Sequence, residues 1–295
     1  MRPPITSIFI SGNQFQSKDA KKPEPQSANL FILRVFVLEI FFMLNFAIET
    51  ARDAGRLLLE KFDRGIAVSK KGDIDLVTEA DLASEKLIVE RIRSHFPKHA
   101  ILAEESGEAV IDVNSQFKWI IDPLDGTTNF AHGYPCFCVT LALEHEGSVQ
   151  VGVTYDPTRD EMFSAERGRG ASLNNKPIRV SACEELSEAL LVTGFPYDFK
   201  RREDFARHLT QFLLNSRGVR RDGSAAIDMA YVACGRFDGF WEEGLNPWDM
   251  AAGVLLIEEA GGHVANYDGT QFNIYKPPIL ATNGLIHSQM SAVLK

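Results

Sequence analysis

Apolar residues recur with two different periods along the chain, which predicts alternating helices and strands. Ala47, Ala51, Ala54, Leu58 and Phe62 follow the three- to four-residue step of an amphipathic helix. Shorter apolar runs, several of them alternating with polar residues, are typical of strands. The predicted helices are 43–62, 78–96, 202–214, 224–234, 247–260 and a C-terminal helix, and the predicted strands are 66–71, 117–121, 138–143, 149–155, 190–195, 237–241, 263–266 and 279–281.

The order of these elements predicts a fold class. Helices and strands are interleaved without internal repeats, which indicates stacked mixed α/β layers rather than a bundle, a barrel or a solenoid. Glu146-Gly147 predicts a hairpin turn and Asn174-Asn175 a second turn. No change of composition marks a linker, so any two subdomains are expected to share an interface.

The N-terminal segment differs from the rest of the chain. Residues 1–29 are polar and lack periodicity, which predicts local disorder. Residues 31–44 are apolar, but Arg34 and Glu39 interrupt them and they fall short of the ~20 residues of a spanning helix. We therefore expect no membrane contact, and we interpret 1–42 as a disordered arm or an extension foreign to the natural protein.

Charge and cysteine content limit the classes of partner and compartment. The net charge is −9, which argues against a nucleic-acid partner because such partners select a basic surface. Basic residues at 200–202 and at 217, 220 and 221 leave an RNA-binding or regulatory role as an alternative, although such clusters are usually solvated or form dimer contacts. The four cysteines are few for a chain of this length and form no C-x-x-C pair, and a reducing cytoplasm is the simplest interpretation.

Three acidic segments, at 103–106, 122–128 and 246–249, carry the candidate chemistry. A buried strand that ends at Asp122 and is followed by Pro123 and Asp125 places two carboxylates at its carboxyl end, where open sheets bind ligands. Oxygen donors without histidine or thiolate favour a hard cation such as Mg²⁺. Two or three such ions would offset the repulsion, activate water and stabilise a departing alkoxide.

A glycine-containing turn follows the second carboxylate. Backbone N–H groups of Gly126-Thr127-Thr128, at the entry to a helix, would form a phosphate cradle. The chain has no P-loop sequence. The phosphate is therefore expected to belong to a substrate that is cleaved rather than to a nucleotide carrier.

Each acidic segment also has a purely structural interpretation. Asp122-Pro-x-Asp-Gly alone is a turn signature. Asp81 follows Thr78 by three residues and Asp249 follows Asn246 likewise, so capping boxes explain both. Glu104-Glu105 alone is typical of a solvated surface pair. The combination of all segments is what favours a metal site.

Four segments together resemble the signatures of the inositol monophosphatase family: DIDLVTEAD (73–81), ILAEES (101–106), WIIDPLDGTTNFAHGYP (119–135) and NPWDMAAGVLLIEEAGG (246–262). They occur in the family's order, and the resemblance extends from about Met43 to the C-terminus. It implies a layered αβαβα sandwich of the inositol monophosphatase and fructose bisphosphatase type, spanning 43–295. Two closely packed subdomains would meet near residue 185, and the enzyme would be a lithium-sensitive homodimer.

The resemblance also implies a metal site. By motif, Glu104, Asp122 and the main-chain carbonyl of Leu124 would hold a first Mg²⁺. Asp122, Asp125 and Asp249 would hold a second. A third would lie near Glu104, so that each active site uses two or three ions.

The catalytic residues implied by the same motifs are Thr127, Glu104 and Asp81. Thr127 would orient the attacking water, and Glu104 or Asp81 would help to accept its proton. Asp81 would contact the metal site through water. Lys70 matches a basic residue that faces the site.

Substrate contacts follow from the motifs in the same way. Amides of Gly126 and Thr127 would hold phosphate, and Glu242 would bind substrate hydroxyls. The whole implied set is Leu124, Asp125, Gly126, Thr127, Gly223, Ser224, Ala225, Glu242 and Asp249.

The expected activity is magnesium-dependent hydrolysis of a small phosphorylated polyol. WEEGLNPWD (241–249) most resembles the bacterial inositol monophosphatases, so inositol 1-phosphate ranks first. Fructose 1,6-bisphosphate, 3′-phosphoadenosine 5′-phosphate and histidinol phosphate are alternatives within the same fold, because loops of unknown shape decide between them.

Overall fold

The computed structural model describes residues 25–64, 68–70, 76–109, 115–195 and 202–295. Its helices are α1 (Pro25–Arg64), α2 (Glu79–His95), α3 (Thr127–Ala131), α4 (Arg202–Asn215), α5 (Ala225–Ala233), α6 (Pro247–Glu259) and α7 (His287–Leu294). A short 3₁₀ turn covers Leu186–Glu188. Fifteen strands are described: β1 (Val68–Lys70), β2 (Leu76–Thr78), β3 (Ala100–Ala103), β4 (Gly107–Ala109), β5 (Phe117–Asp125), β6 (Cys138–His145), β7 (Ser148–Asp156), β8 (Glu161–Glu166), β9 (Gly170–Leu173), β10 (Lys176–Pro177), β11 (Leu190–Thr193), β12 (Gly218–Arg220), β13 (Gly239–Glu242), β14 (His263–Ala265) and β15 (Ile279–Thr282).

The larger sheet has eight strands in the order β10-β9-β8-β7-β6-β5-β3-β4. Its neighbours are antiparallel except β3 and β5, which run parallel. The β6–β7 turn falls at Glu146-Gly147, where both residues have positive φ, as two-residue hairpin turns require. Because β3 and β5 are parallel neighbours, their carboxyl ends lie side by side at one edge of the sheet.

The smaller sheet has five strands in the order β12-β11-β13-β15-β14. Strand β11 runs parallel to β12 and β13, whereas β15 runs antiparallel to its neighbours. A separate antiparallel pair joins β1 to β2. The chain passes from the larger sheet to the smaller one between Pro177 and Leu190.

Five layers follow from the packing of Glu39–Lys295, which forms one unit. Helices α1 and α2 cover the outer face of the larger sheet, where the rings of Phe46 and Trp119 lie 5.6 Å apart. Helices α5 and α6 fill the middle, and α4 and α7 cover the smaller sheet, where Phe212 packs on Trp241. The close approach of α6 requires Gly152, since a Cβ there would lie 2.9 Å from the Ala252 carbonyl oxygen. The predicted αβαβα fold class is confirmed.

Several elements differ from the prediction. Helix α1 begins at Pro25 rather than at Met43. Strands β2, β3, β4, β8–β10 and β12 have no predicted counterpart, and all of them except β8 have four residues or fewer, which is too few positions to show a period. Residues 1–24 lie outside the described part of the chain. The interpretation of 1–42 and the subdomain boundary near 185 stay predictions.

In the part of the chain that the structure describes, no helix combines the length and apolar character needed to cross a bilayer.

Candidate active site

An irregularity in β5 brings two carboxylates to one place. The pairing of β5 with β6 runs to Asp122 opposite Thr140, shifts register, and resumes at Asp125 opposite Cys138. A bulge of this kind redirects side chains at the end of a strand. The Leu124 N–H donates to Asp122 Oδ1 at 3.0 Å, which fixes the first carboxylate.

A third carboxylate comes from the amino end of α6. One oxygen each of Asp122, Asp125 and Asp249 lies within 4.8 Å of the others. Asp249 accepts the Asn246 N–H at 2.6 Å and completes the predicted capping box. The capping interpretation and the cluster interpretation of Asp249 are therefore compatible.

Asp125 is bound by residues at the start of α5, which lies far from β5 in the sequence. Its Oδ2 accepts hydrogen bonds from Ser224 Oγ at 2.5 Å and from the Ala226 N–H at 2.8 Å, at the start of α5. An ionised carboxylate is favoured at a helix amino end. The cluster thus draws together β5, α5 and α6.

The electrostatics of the cluster are unfavourable for ionised carboxylates. Burial and the neighbouring charges of Glu104, Asp125 and Asp249 raise the pKa of Asp122 well above its usual range. Burial likewise raises the pKa of Asp125, and burial with the Asp125 charge raises that of Asp249 well above its usual range. Like charges buried this close require protons or a bridging cation.

The donor set fits a hard metal ion. All three acidic residues offer oxygen, and Glu104 and Leu124 line the same cavity. An all-oxygen set is what Mg²⁺, Ca²⁺ and Mn²⁺ prefer. A divalent cation would also favour the ionised carboxylates, which burial and mutual repulsion disfavour in its absence.

Glu104 and Thr127 stand beside the cluster. Glu104 follows β3, and its N–H donates to the Ile121 carbonyl at 3.2 Å, next to the end of β5. Thr127 Oγ1 lies 3.1 Å from Asp81 Oδ1 and 3.1 Å from the Leu124 carbonyl oxygen. Asp81 is fully buried on α2, so the hydroxyl is fixed between a carboxylate and a carbonyl.

Gly126 shapes the turn that enters α3. Its φ is 95°, and a Cβ there would lie 2.9 Å from the Cys136 carbonyl oxygen, so only glycine fits. The amides of Gly126 and Thr127 follow the acidic strand end directly, beside the cavity. They stand where an anion next to the carboxylate cluster would need donors.

The opposite wall of the cavity contains the remaining predicted residues. Gly223, Ser224, Ala225 and Glu242 line this wall, and the same cavity is bordered by Asp125 and Asp249 of the carboxylate cluster. Burial raises the pKa of Glu242 to about 8, although Arg221 opposes this shift. The structure therefore brings the catalytic, metal and substrate residues predicted from the sequence to one cavity, with Asp81 directly behind it. The side chain of Lys70 lies outside the described residues.

Three further residues line this wall without a signal in the sequence. Gly194 lets the Glu242 carboxylate lie against the backbone, since any Cβ there would overlap it. Arg221 was visible only as part of a basic cluster, and its guanidinium lies 4.9 Å from the Phe195 ring centroid. Asp228 looks like an ordinary helix residue, yet it is buried, and its Oδ1 has no hydrogen-bond partner among the described residues.

Comparisons with known proteins agree with this geometry. The inositol monophosphatase family profile matches residues 42–294. Inositol-1-monophosphatase of Synechocystis sp. is 48% identical over 85% of this chain and 88% of its own length. Nus factor SuhB of Pseudomonas aeruginosa is 45% identical over 82% of this chain and 91% of its own. The crystal structure of extragenic suppressor protein suhB from Bartonella henselae has a TM-score of 0.82 and 42% identity, and covers 86% of this chain and 98% of that one.

Fold, carboxylate cluster and relatives together define a metal-dependent phosphatase, a phosphoric monoester hydrolase. The chain belongs to the inositol monophosphatase family, and the resemblance drawn from the sequence is confirmed.

Proposed function

We propose that this protein hydrolyses inositol 1-phosphate to inositol and phosphate with Mg²⁺ as cofactor. The observation that carries the proposal is the convergence of Asp122, Asp125 and Asp249. The hydrogen-bonded Thr127 hydroxyl and the turn at Gly126 lie beside this cluster in the same cavity. Synechocystis inositol-1-monophosphatase, at 48% identity, supports the choice of substrate.

The metal-binding residues are proposed from the donor set. Glu104, Asp122 and the Leu124 carbonyl would hold one Mg²⁺, and Asp125 and Asp249 would join Asp122 at a second, with a third near Glu104. When bound, Mg²⁺ neutralises phosphate oxygens, activates water and stabilises the leaving alkoxide.

The protein's own groups orient the reaction. Thr127 Oγ1, fixed at 3.1 Å from Asp81 Oδ1, positions the attacking water and passes a proton toward Asp81 or Glu104. The Gly126 and Thr127 amides bind the phosphate oxygens, and in-line attack follows from that orientation. Asp81 is fully buried, so the hydroxyl keeps one orientation.

The opposite wall would recognise the polyol. Glu242, buried against Gly194 and near Arg221, presents a carboxyl that exchanges hydrogen bonds with substrate hydroxyls. Backbone and side chains of Gly223, Ser224 and Ala225 complete the surface. An unpartnered buried polar group discriminates strongly against an analogue that lacks its partner.

The direct experiment is phosphate release from three substrates. Purified protein is assayed with inositol 1-phosphate, fructose 1,6-bisphosphate and 3′-phosphoadenosine 5′-phosphate, each with Mg²⁺ and with chelator. Preference for the first, lost in chelator, is the expected result. Preference for another keeps the metal chemistry and changes the substrate, whereas release that ignores chelator contradicts the magnesium proposal. Lithium should inhibit phosphate release. The purified protein should sediment as a homodimer, and cell fractionation should find it in the cytoplasm.

A second candidate function rests on the relatives named Nus factor SuhB, at 45% and 43% identity. A regulatory or RNA-binding role would use the basic residues near β12. Arg217 already donates to the Glu188 carbonyl at 3.2 Å, and Arg221 lines the active-site cavity, so this surface is partly engaged. Salt-dependent RNA binding that survives Asp125→Asn would support it, and binding no tighter than that of a neutral control protein would contradict it.

A further inference from the structure

The buried face of α2 is polar where it meets the active site. Asp81, Ser84 and Glu85 are spaced so that they share one face of the helix. Their exposed fractions are 0%, 0% and 6%. Burying polar groups is costly unless each has a partner, so this face must satisfy specific groups.

Ser84 binds the bend between two cluster carboxylates. Its Oγ donates to the Pro123 carbonyl at 2.8 Å. Pro123 lies in the irregular part of β5, where the ladder with β6 is interrupted between Asp122 and Asp125. Strand pairing therefore does not hold this peptide, whose carbonyl is bound by the Ser84 hydroxyl and whose N–H is bound by Asp122 Oδ1.

Glu85 binds the segment that carries Glu104. Its Oε2 accepts the Glu105 N–H at 2.8 Å, just after the end of β3. The preceding amide, that of Glu104, is bound to the Ile121 carbonyl. Two successive amides are thus fixed by β5 on one side and by α2 on the other, which leaves the Glu104 backbone little freedom to rotate.

We propose that Ser84 and Glu85 are positioning residues for the metal site. Ser84 sets the Asp122–Asp125 bend and Glu85 sets Glu104, each through a backbone group. The inference rests on the proposed function, because it assumes that these carboxylates bind Mg²⁺. Groups that orient metal ligands from behind typically contribute 10–100-fold in metal affinity or activity.

A merely structural role makes a different prediction. If α2 only closes the core, substitutions lower thermal stability equally with and without metal, and Mg²⁺ affinity is unchanged. If it positions ligands, Mg²⁺ affinity falls by more than the stability of the metal-free fold explains. Direct binding by isothermal titration calorimetry separates the two.

The decisive pair is Glu85→Gln and Glu85→Leu in the full chain. Glutamine keeps a side-chain oxygen that accepts the Glu105 N–H, whereas leucine of similar size removes it. We expect Glu85→Gln to bind Mg²⁺ within about threefold of wild type and Glu85→Leu to bind it about 10–100-fold more weakly. Glu90→Leu, on the exposed face of the same helix, is the control and should bind as wild type.

Ser84→Ala gives a second, milder test. It removes only one hydroxyl, and we expect about tenfold weaker Mg²⁺ binding with a matching rise in the Mg²⁺ concentration needed for half-maximal phosphate release. Ser84→Ala also provides the test of the inference if Glu85→Leu does not fold. Wild-type Mg²⁺ affinity in both Ser84→Ala and Glu85→Leu would overturn the inference, as would equal losses in Glu85→Gln and Glu85→Leu. A wild-type protein that neither binds nor needs Mg²⁺ would instead overturn the proposed function.

Discussion

Asp122 and Asp125 come from one strand and lie three positions apart across a single bend, whereas the facing wall takes Gly194, Arg221 and Glu242 from separate parts of the chain. The first wall, from β3, β5, α3 and the amino end of α6, carries the carboxylate cluster, and we propose that it binds the metal and the phosphate. The second, from the smaller sheet and its loops, would bind the polyol. The proposed phosphate chemistry therefore depends mainly on one strand end that Asp249 joins from α6, whereas the proposed substrate selection depends on residues that are far apart in the sequence.

The largest effect is expected on the carboxylate side. Asp125→Asn keeps the shape of the side chain but removes an anionic ligand, and Mg²⁺ affinity depends on ligand charge. Since even indirect metal partners contribute 10–100-fold, turnover should fall by at least about 100-fold. Steady-state phosphate release at the Mg²⁺ concentration that half-saturates the wild type checks this, and circular dichroism should show an intact fold.

Asp63→Asn, at an exposed position near the end of α1, serves as the matched control and should keep full activity. Full activity in Asp125→Asn itself would exclude this carboxylate from the metal site. The same substitution at Asp249 should behave alike, because the asparagine oxygen can still accept the Asn246 N–H of the capping box.

A smaller and more selective effect is expected on the substrate side. Glu242→Ala should lower kcat/KM for inositol 1-phosphate about 10–100-fold, since leaving a buried hydrogen-bonding group without its partner costs about 1–3 kcal/mol. Hydrolysis of p-nitrophenyl phosphate, which offers no hydroxyl, should change little. Equal losses on both substrates would show that Glu242 acts on the phosphate chemistry instead, and exposed Glu203→Ala is the control.

The same contrast explains what the sequence could predict. Asp122, Asp125, Gly126 and Thr127 lie within six positions, so a strand end followed by a turn was enough to place them together. Their convergence with Asp249 followed only from the family resemblance, because nothing local brings α6 beside β5. The layered fold was predictable from the alternation of long elements, whereas β9 and β10 have too few residues to show a period that would predict them.

The substrate wall shows the limit of such reasoning. Asp228 lies inside an apolar helix, and Gly194 follows a strand, where a glycine has many ordinary explanations. Their importance depends on distances across the molecule, such as the close contact of Glu242 with Gly194. Likewise nothing in the sequence distinguishes Ser84 and Glu85 from surface polar residues of α2, because their partners, the Pro123 carbonyl and the Glu105 N–H, lie on other elements of the fold.

One residue links the two walls and allows them to be uncoupled. Asn129, on α3, donates through Nδ2 to the Cys136 and Asp222 carbonyls, both at 2.8 Å, and so joins the phosphate turn to the loop before α5. Asn129→Ala removes two hydrogen bonds and should lower the free energy of unfolding by about 1–3 kcal/mol. Denaturant unfolding measures this value.

The kinetic consequence of Asn129→Ala tests the coupling. If the link sets the distance between the walls, KM for inositol 1-phosphate rises by several-fold while Mg²⁺ binding stays as in wild type. A loss of Mg²⁺ affinity equal to that of the α2 variants would place Asn129 with the carboxylate side alone. His132→Ala, at the exposed position just after the same short helix, is a suitable control.

The smallest expected effect is a difference between the two walls in how they make thermal stability depend on pH. Burial raises the pKa of Glu242 to about 8, so the folded state holds a proton that the unfolded chain releases near its ordinary value of 4.5. This stabilisation is complete below about pH 4.5 and is lost as pH rises toward 8. Asp122, Asp125 and Asp249, with pKa values also raised by burial, act in the same direction. Metal-free protein should therefore lose a few degrees in Tm between pH 5 and pH 8.

Magnesium should remove only one part of this pH dependence. A bound cation favours ionised carboxylates, so the share from Asp122, Asp125 and Asp249 should vanish when Mg²⁺ is saturating, whereas the share from Glu242 should remain. Glu242→Gln should give the complementary result: Tm should change less with pH in chelator, and it should not change with pH when Mg²⁺ is saturating. Thermal scans of both proteins across pH 5–8 measure the two shares. A slope that Mg²⁺ abolishes in wild type would mean that Glu242 titrates with the metal side, and the two walls would then be one electrostatic unit.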